Sequence, residues 1–389
     1  MPEFLNPWQQ FRQQMPITRR WAYLDHAATA PLSGPASEAM QAWSRQAAEC
    51  GDTVWPEWEN RANQVRRTAA ELIGAAAEEV ALVPNTTAGI NLVAEGFPWR
   101  EGDNVVTLAN EFPSNLYPWM NLASRGVEAR RVPVEGGRVA LDRIADACDA
   151  RTRIISASWI GYASGWRMDL DALVALAHAR GVLVFLDAIQ GLGVFPIDVQ
   201  RLGVDFLAAD GHKWLLGPEG AGLFYVRREH LALLRPLSVG WNSVVVAHDF
   251  SRIDLNLRSD AARYEGGSRN MAGLAALGAS LDLLAGLGLR ADRSPLADRV
   301  LDLTDDAVAG LEAIGAVVHS CREPARRSGI LAFELPGRNP ADVRRRCLQA
   351  GVVLSVRGGN LRISPHAYND AEDLGRLIEV LSESERWPK

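Results

Sequence analysis

A lysine that follows the carboxyl end of a buried strand is the first residue in this sequence with chemistry to explain. The run Val182-Leu-Val-Phe-Leu186 ends in Asp187, with Gln190 three residues on. The next apolar run, 205–209, ends in Asp210-Gly-His-Lys213. In an open α/β sheet, ligands bind beyond the carboxyl ends of the strands. The spacing therefore brings Asp187, Gln190, Asp210, His212 and Lys213 to one crevice. Trp214, Leu215 and Leu216 flank the lysine, and desolvation disfavours the ammonium and frees the amine as a nucleophile. A structural ion pair with Asp187 is one reading. The other is a Schiff-base lysine whose carboxylate partner sits on a pyridinium nitrogen, as pyridoxal phosphate requires.

Two further segments bear on that choice. Pro84-Asn-Thr-Thr-Ala-Gly-Ile-Asn91 follows the strand-like Val80-Ala-Leu-Val83 and opens a helix. Its hydroxyls and small residues, with the helix dipole, offer donors to an anion, although threonine there is also an ordinary cap. Glu111-Phe-Pro-Ser-Asn115 places Phe112 where a flat ring can lie on a bound heterocycle. Core packing is the other use of such a phenylalanine. Gly217-Pro-Glu-Gly-Ala-Gly222 precedes a strand rather than a helix and is no dinucleotide fingerprint. Walker A, HExxH and GxSxG motifs are absent.

The elements that must position these residues alternate. Val105-Val-Thr-Leu108, Ile154-Ile-Ser-Ala157, the run ending at Asp187 and Gly222-Leu-Phe-Tyr-Val226 read as buried strands, with a helix over 169–180 ended by Gly181. This predicts an α/β domain with a largely parallel sheet. Beyond residue 265 helices are predicted over 271–287 and 295–314. Strands follow at 316–319, 329–335, 352–356 and 360–363, and a last helix at 371–384. We divide the chain into an N-terminal segment (1–22) packing on the small domain, a large α/β domain (23–265) and a smaller C-terminal α+β domain (266–389).

Composition removes several classes. The 389 residues are 48% apolar and 23% charged, as in soluble globular proteins. No apolar run approaches the roughly 18–20 residues that cross a bilayer, and no secretory signal is visible at the start. The net charge is −6, and no basic block is long enough to track nucleic acid. Arg344-Arg-Arg346 reads as a solvated helix face. Cys50, Cys148, Cys321 and Cys347 form no CxxC pair, so neither a metal site nor a disulfide framework is expected, and a reducing cytoplasm fits.

Taken in order, the motifs resemble the class V aminotransferase family of fold type I pyridoxal phosphate enzymes, and within it the cysteine desulfurase/selenocysteine lyase branch. The resemblance runs from Tyr23-Leu-Asp-His-Ala-Ala-Thr29 to Ser364-Pro-His-Ala-Tyr-Asn369. It implies a large domain with a mostly parallel, seven-stranded-type sheet. It implies that Lys213 forms the Schiff base and moves the Cα proton, and that Asp187 pairs with the pyridine nitrogen. Gln190 would bond the ring hydroxyl and Phe112 would stack on the ring. Thr87, the Thr86–Ala88 backbone and His212 would hold the phosphate, with Asp210 beside them. Ser268, in Tyr264-Glu-Gly-Gly-Ser-Arg-Asn270, matches a phosphate contact made across the family's dimer interface, which implies a homodimer with a shared active site. Arg362 matches the arginine that grips the substrate carboxylate, a task suited to a bidentate guanidinium. His26, His366 and Arg357 are candidate substrate contacts. Capping or structural use is the other reading of the histidines, and a surface position that of Arg357. Trp241 and Asn242 are candidates for the pocket entrance from the partner subunit.

Departures from the branch narrow the function. Its catalytic cysteine lies on a loop before that arginine. Here Ser355-Val-Arg-Gly-Gly-Asn-Leu-Arg362 is short and has no cysteine, and Cys347 falls too early. Phe112 stands where desulfurases place histidine and resembles kynureninase-type members. Asp210 replaces a small hydroxyl residue, and Trp159 stands near a polar position facing the ring hydroxyl. The expectation is a pyridoxal phosphate enzyme acting on a small α-amino acid by transamination or C–S/Cβ lyase chemistry without a catalytic cysteine. The alternatives are a cysteine desulfurase-type enzyme with a non-standard sulfur acceptor, an epimerase or decarboxylase, and a non-catalytic binding protein on this scaffold.

Overall fold

The computed structural model describes residues 5–383. The predicted end of the last helix at 384 and the first four residues of the N-terminal segment lie outside them.

Short runs, mostly buried except along the edge strand Glu128–Val132, build a seven-stranded sheet. Its spatial order is Val80–Val83, Gly222–Val226, Phe206–Asp210, Leu183–Asp187, Thr152–Ser158, Asn104–Leu108, Glu128–Val132. The last five are mutually parallel, and Gly222–Val226 runs antiparallel to both neighbours. Such runs are buried on both faces because helices cover the sheet on each side. Parallel strands end together, so one edge collects the residues just beyond Leu108, Ser158, Asp187 and Asp210. A second, four-stranded antiparallel sheet has the order Ser355–Arg357, Asn360–Ile363, Leu331–Glu334, Val317–Val318.

The two hydrophobic cores run across both sequence divisions. Helix Met271–Gly286 falls in the small domain by the sequence division, but its Met271, Leu274, Leu277, Leu281 and Leu284 share the large core with Val65, Ala69 and Trp214. Its largely apolar character is explained by that position against the helices Gly34–Cys50 and Trp55–Ile73, with the exposed Asp282 paired to Arg61. The small core begins instead with helix Pro295–Ala313, through Leu303, Ala307 and Leu311. At the other end, strand Ala22–Tyr23 pairs in parallel with Val352–Val353, and Ala22 and Leu24 are buried in the small core. Residues 22–24 thus lie in the small core, while Phe11 and Met15 before them and Ala27 after them belong to the large one. Helix Pro7–Gln13 is tied to the last helix, Ala371–Ser382, by Arg12 on Asp370 at 3.0 Å and on Asp373 at 2.6 Å.

Candidate active site

Asp210-Gly-His-Lys leaves its strand in a tight turn. The amide of Leu216 closes on the Lys213 carbonyl at 3.0 Å. Leu216 adopts a left-handed conformation with φ +56°, which costs a branched side chain about 1–2 kcal/mol. Ser280 on helix Met271–Gly286 donates to the Leu216 carbonyl at 2.7 Å and holds the turn there. Opposite, Gly193 passes so close that a Cβ would lie 2.4 Å from the Trp214 carbonyl oxygen. The lysine is thus fixed from two sides.

Lys213 is 8% exposed, and its Nζ has no hydrogen-bond partner among the described residues. Burial pushes its ammonium down to about 8, against the opposing pull of Asp187. Asp187 is 3% exposed, and burial pushes its carboxyl up to about 6. One of its oxygens accepts the Ile189 amide at 3.1 Å. The two groups line a cavity of about 420 Å³ with Thr86, Thr87, Phe112 and His212. The Phe112 ring centroid lies 5.6 Å from the lysine nitrogen, and Tyr162 meets Phe112 edge-on at 5.4 Å. Gln190 also lines the cavity; its amide is anchored by donating to Ala27 O at 2.9 Å and accepting from the Trp214 indole at 3.0 Å.

At one end of the cavity helix Thr86–Gly96 begins. Its first amides have no intrahelical partner. Asn85 caps it by accepting the Ala88 amide at 2.8 Å, and Thr86 Oγ1 accepts the Asp210 amide at 2.9 Å. The Asp210 carboxylate is taken up locally, by the Gly211 amide at 2.7 Å and by His212 Nδ1 at 2.9 Å. The histidine nitrogen is close to the carboxylate without a hydrogen bond between them. At the other end Arg362, fully buried, donates to Asp25 at 3.1 Å, to Ser355 Oγ at 3.1 Å and to the Tyr162 carbonyl at 2.6 Å. Burial raises the Asp25 carboxyl and lowers the Arg362 guanidinium, so desolvation outweighs their attraction.

The sequence profile described as "Aminotransferase class-V" matches residues 22–377. The chain belongs to the class V aminotransferase family. It is 33% identical to a probable cysteine desulfurase of Methanothermobacter thermautotrophicus, over 96% of each chain. It is 32% identical to a cysteine desulfurase of Klebsiella pneumoniae, over 92% of each. An apo cysteine desulfurase from Thermococcus onnurineus superimposes with a TM-score of 0.87 at 25% identity, covering 99% of this chain and 100% of that one. The cystine C–S lyase C-DES, solved with cysteine persulfide, shares the fold with a TM-score of 0.88 at 22% identity, covering 95% and 99%.

The class V cofactor, pyridoxal 5′-phosphate, suits the residues present. A buried amine without a hydrogen-bond partner, a buried carboxylate, the first-turn helix amides that the Asn85 cap leaves free and an exposed aromatic face supply the four kinds of contact it needs.

Several of the residues singled out in the sequence do not line the cavity. Ala88 lies outside its wall, its amide donating to Asn85. His26 is fully buried, with Nδ1 on the Ser364 carbonyl at 2.9 Å and Nε2 on the Tyr368 hydroxyl at 2.7 Å. His366 is fully buried beside it, 3.2 Å from the Trp214 carbonyl. Burial holds both imidazoles below their ordinary range, and Ala27, Ala28 and Thr29 form the wall instead. Trp159 packs in the core against Phe195. Asn242 is 1% exposed and braces the Glu265 carbonyl at 2.9 Å, while Trp241 lines a separate hollow with Phe250. Ser268 is absent from the lysine cavity of its own chain; it lines a larger hollow of about 510 Å³. That hollow contains no lysine, and the chemistry lies in the smaller one.

Sequence reading also missed residues. Glu111 is 6% exposed and accepts the Ser158 amide at 2.7 Å and the Ser158 hydroxyl. Burial, reinforced by Asp187, pushes its carboxyl up to about 7. Ser158 is the register partner of Asp187 on the adjacent strand and lines the cavity. The signal was available: Glu111, like Gln190, falls three residues beyond a buried strand end. Asp25 was legible as the acid inside the Tyr23–Thr29 motif. No cysteine lines the cavity. Cys347 is buried in helix Pro340–Gln349, its thiol pushed up to about 12.

Proposed function

We propose that this class V protein is a pyridoxal phosphate-dependent Cβ-lyase for small β-substituted α-amino acids, chiefly at C–S bonds, working without a protein thiol. The observation that carries this reading is the hairpin of Ser355–Arg357 and Asn360–Ile363, which Gly358 and Gly359 alone connect. It delivers arginines and no cysteine to the cavity.

Lys213 would hold the cofactor's carbonyl carbon, Asp187 its ring nitrogen, Phe112 its ring face, and Thr86, Thr87 and His212 its phosphate. Bound pyridoxal phosphate supplies an electron sink for the pair left at Cα. Lys213, its amine held near 8, takes the Cα proton at neutral pH, where such a group is well matched to the task. Asp187 keeps a proton close to the ring nitrogen. Arg362 orients the substrate carboxylate with the donor hydrogens that Asp25, Ser355 and Tyr162 leave free.

The relatives' names favour carbon–sulfur cleavage over transamination, and cysteine desulfurase in particular. A desulfurase reading requires a sulfur acceptor from outside the cavity. The deciding assay incubates holoenzyme with L-cysteine and L-cystine and measures pyruvate, ammonium, alanine and sulfane sulfur. Repeated turnover to pyruvate and ammonium is expected. Alanine with sulfane sulfur would establish the desulfurase instead, and one equivalent of keto acid with loss of the visible band would establish a transaminase.

A further inference from the structure

Two arginines enter the cavity from one hairpin, and only one of them is in a close ion pair. Ser355 pairs with Arg362 across the hairpin, and Arg357 lies two residues further along the same strand. Alternation in a strand puts both guanidinium groups on one face, as diagonal neighbours. Arg362 is buried against Asp25. Arg357 is half-buried, lines the cavity and donates Nη1 to its own Val356 carbonyl at 2.9 Å. It has no carboxylate partner among the described residues. Its charge reaches Lys213 and Arg362, lowering the pKa of both. The nearby acids are engaged elsewhere: Asp187 faces Lys213, Asp210 accepts the Gly211 amide, and Asp25, whose carboxyl also feels the Arg357 charge, is bonded to Arg362 and Ser355.

We infer that Arg357 reads a second anion on the substrate, so that the preferred substrates are α-amino acids whose β-substituent is itself negatively charged. The chemistry agrees, resting on the lyase reading above. Without a thiol to receive the departing group, that group must leave unaided. Lys213 takes the Cα proton, the pair left behind forms the Cα–Cβ double bond, and the Cβ–X bond breaks with both its electrons going to X. Water then converts the aminoacrylate to pyruvate and ammonium. An S-sulfo substituent departs as thiosulfate and a phosphate ester as phosphate, both stabilised anions, and a guanidinium beside them favours that charge.

The test compares isosteres that differ only in the second charge. L-Aspartate and L-asparagine are titrated into holoenzyme, read by the cofactor's visible band and by calorimetry. Aspartate is expected to bind at least about tenfold tighter, within the range of one charge-assisted hydrogen bond. Arg357→Gln should remove the preference and leave the asparagine affinity within about twofold, while Arg357→Lys keeps part of it. Equal affinities in the wild type would overturn the inference, as would an equal loss for both ligands in Arg357→Gln, which would assign Arg357 to the α-carboxylate. Pyruvate release from S-sulfocysteine and O-phosphoserine, against S-methylcysteine, separates the two proposals. An aspartate preference with no pyruvate from any of them sinks the lyase and leaves Arg357 as assigned. Equal turnover of all three with no aspartate preference does the reverse.

Discussion

Lys213 and Asp187 reach the cavity from the carboxyl edge of the large sheet without an ion pair between them, whereas Arg362 and Asp25, from the small-domain side, close on each other at 3.1 Å. Both pairs are desolvated. On the first wall the lysine has been left without a hydrogen-bond partner, with its pKa brought toward neutrality. On the second wall every named bond fixes a direction. A site that must exchange protons keeps unpaired groups; a site that must hold a carboxylate in one orientation satisfies its groups beforehand.

Lys213→Ala gives the largest expected break in this contrast, a fall in turnover of roughly 10²–10⁴-fold, the scale of a lost general base. Substrate-free protein should retain its Tm, which thermal scanning of the apoprotein would check. Asp25→Asn should do the opposite. Removing one partner of a buried pair costs about 3–5 kcal/mol, so the apoprotein's denaturation midpoint should drop sharply. An unchanged midpoint would mean that the Arg362 wall is not held as described.

Glu111→Gln probes the first wall through pH. The folded carboxyl keeps its proton to about pH 7, while the unfolded one releases it near 4.5. The unfolded state therefore binds fewer protons between these values, and this group makes wild-type stability fall as pH rises through that window. The apo variant should gain on the wild type across it, on the order of 3 kcal/mol by pH 8. Parallel curves in urea denaturation would contradict the burial assigned to Glu111. Arg362→Gln should raise KM about 10–100-fold with a smaller change in kcat, as for lost uniform binding. Phe112→Leu should weaken cofactor retention least, by about 1 kcal/mol for the lost ring contact, measured by dialysis against limiting cofactor.

The first wall was legible in the sequence because it is local. A buried strand, its terminal acid and the Asp210–Lys213 turn lie in one short stretch of chain, and the period of the strand fixes which end faces the ligand. The second wall was harder. Arg362 stood out by family order, but His26 gave no sign that its partners, Ser364 and Tyr368, lie 338 and 342 residues away. Nor did the sequence show that the Ala88 amide caps onto Asn85. Helix Met271–Gly286 is apolar around most of its surface, and such a pattern signals burial without saying in which core. Glu111 escaped because its meaning depends on Ser158, on another strand.

The pairing of Ala22–Tyr23 with Val352–Val353 has a consequence for the order in which the protein is made. The Asp25 carboxylate waits for Ser355, 330 residues later in the chain. At ribosomal speeds that delay is roughly 15–65 s. The large sheet has all its strands by residue 226, so the lysine wall can assemble long before the arginine wall has a chain to assemble from. The nascent protein then carries a half-built site with an unpaired N-terminal strand, and the ability to bind an amino acid arrives only with its final residues.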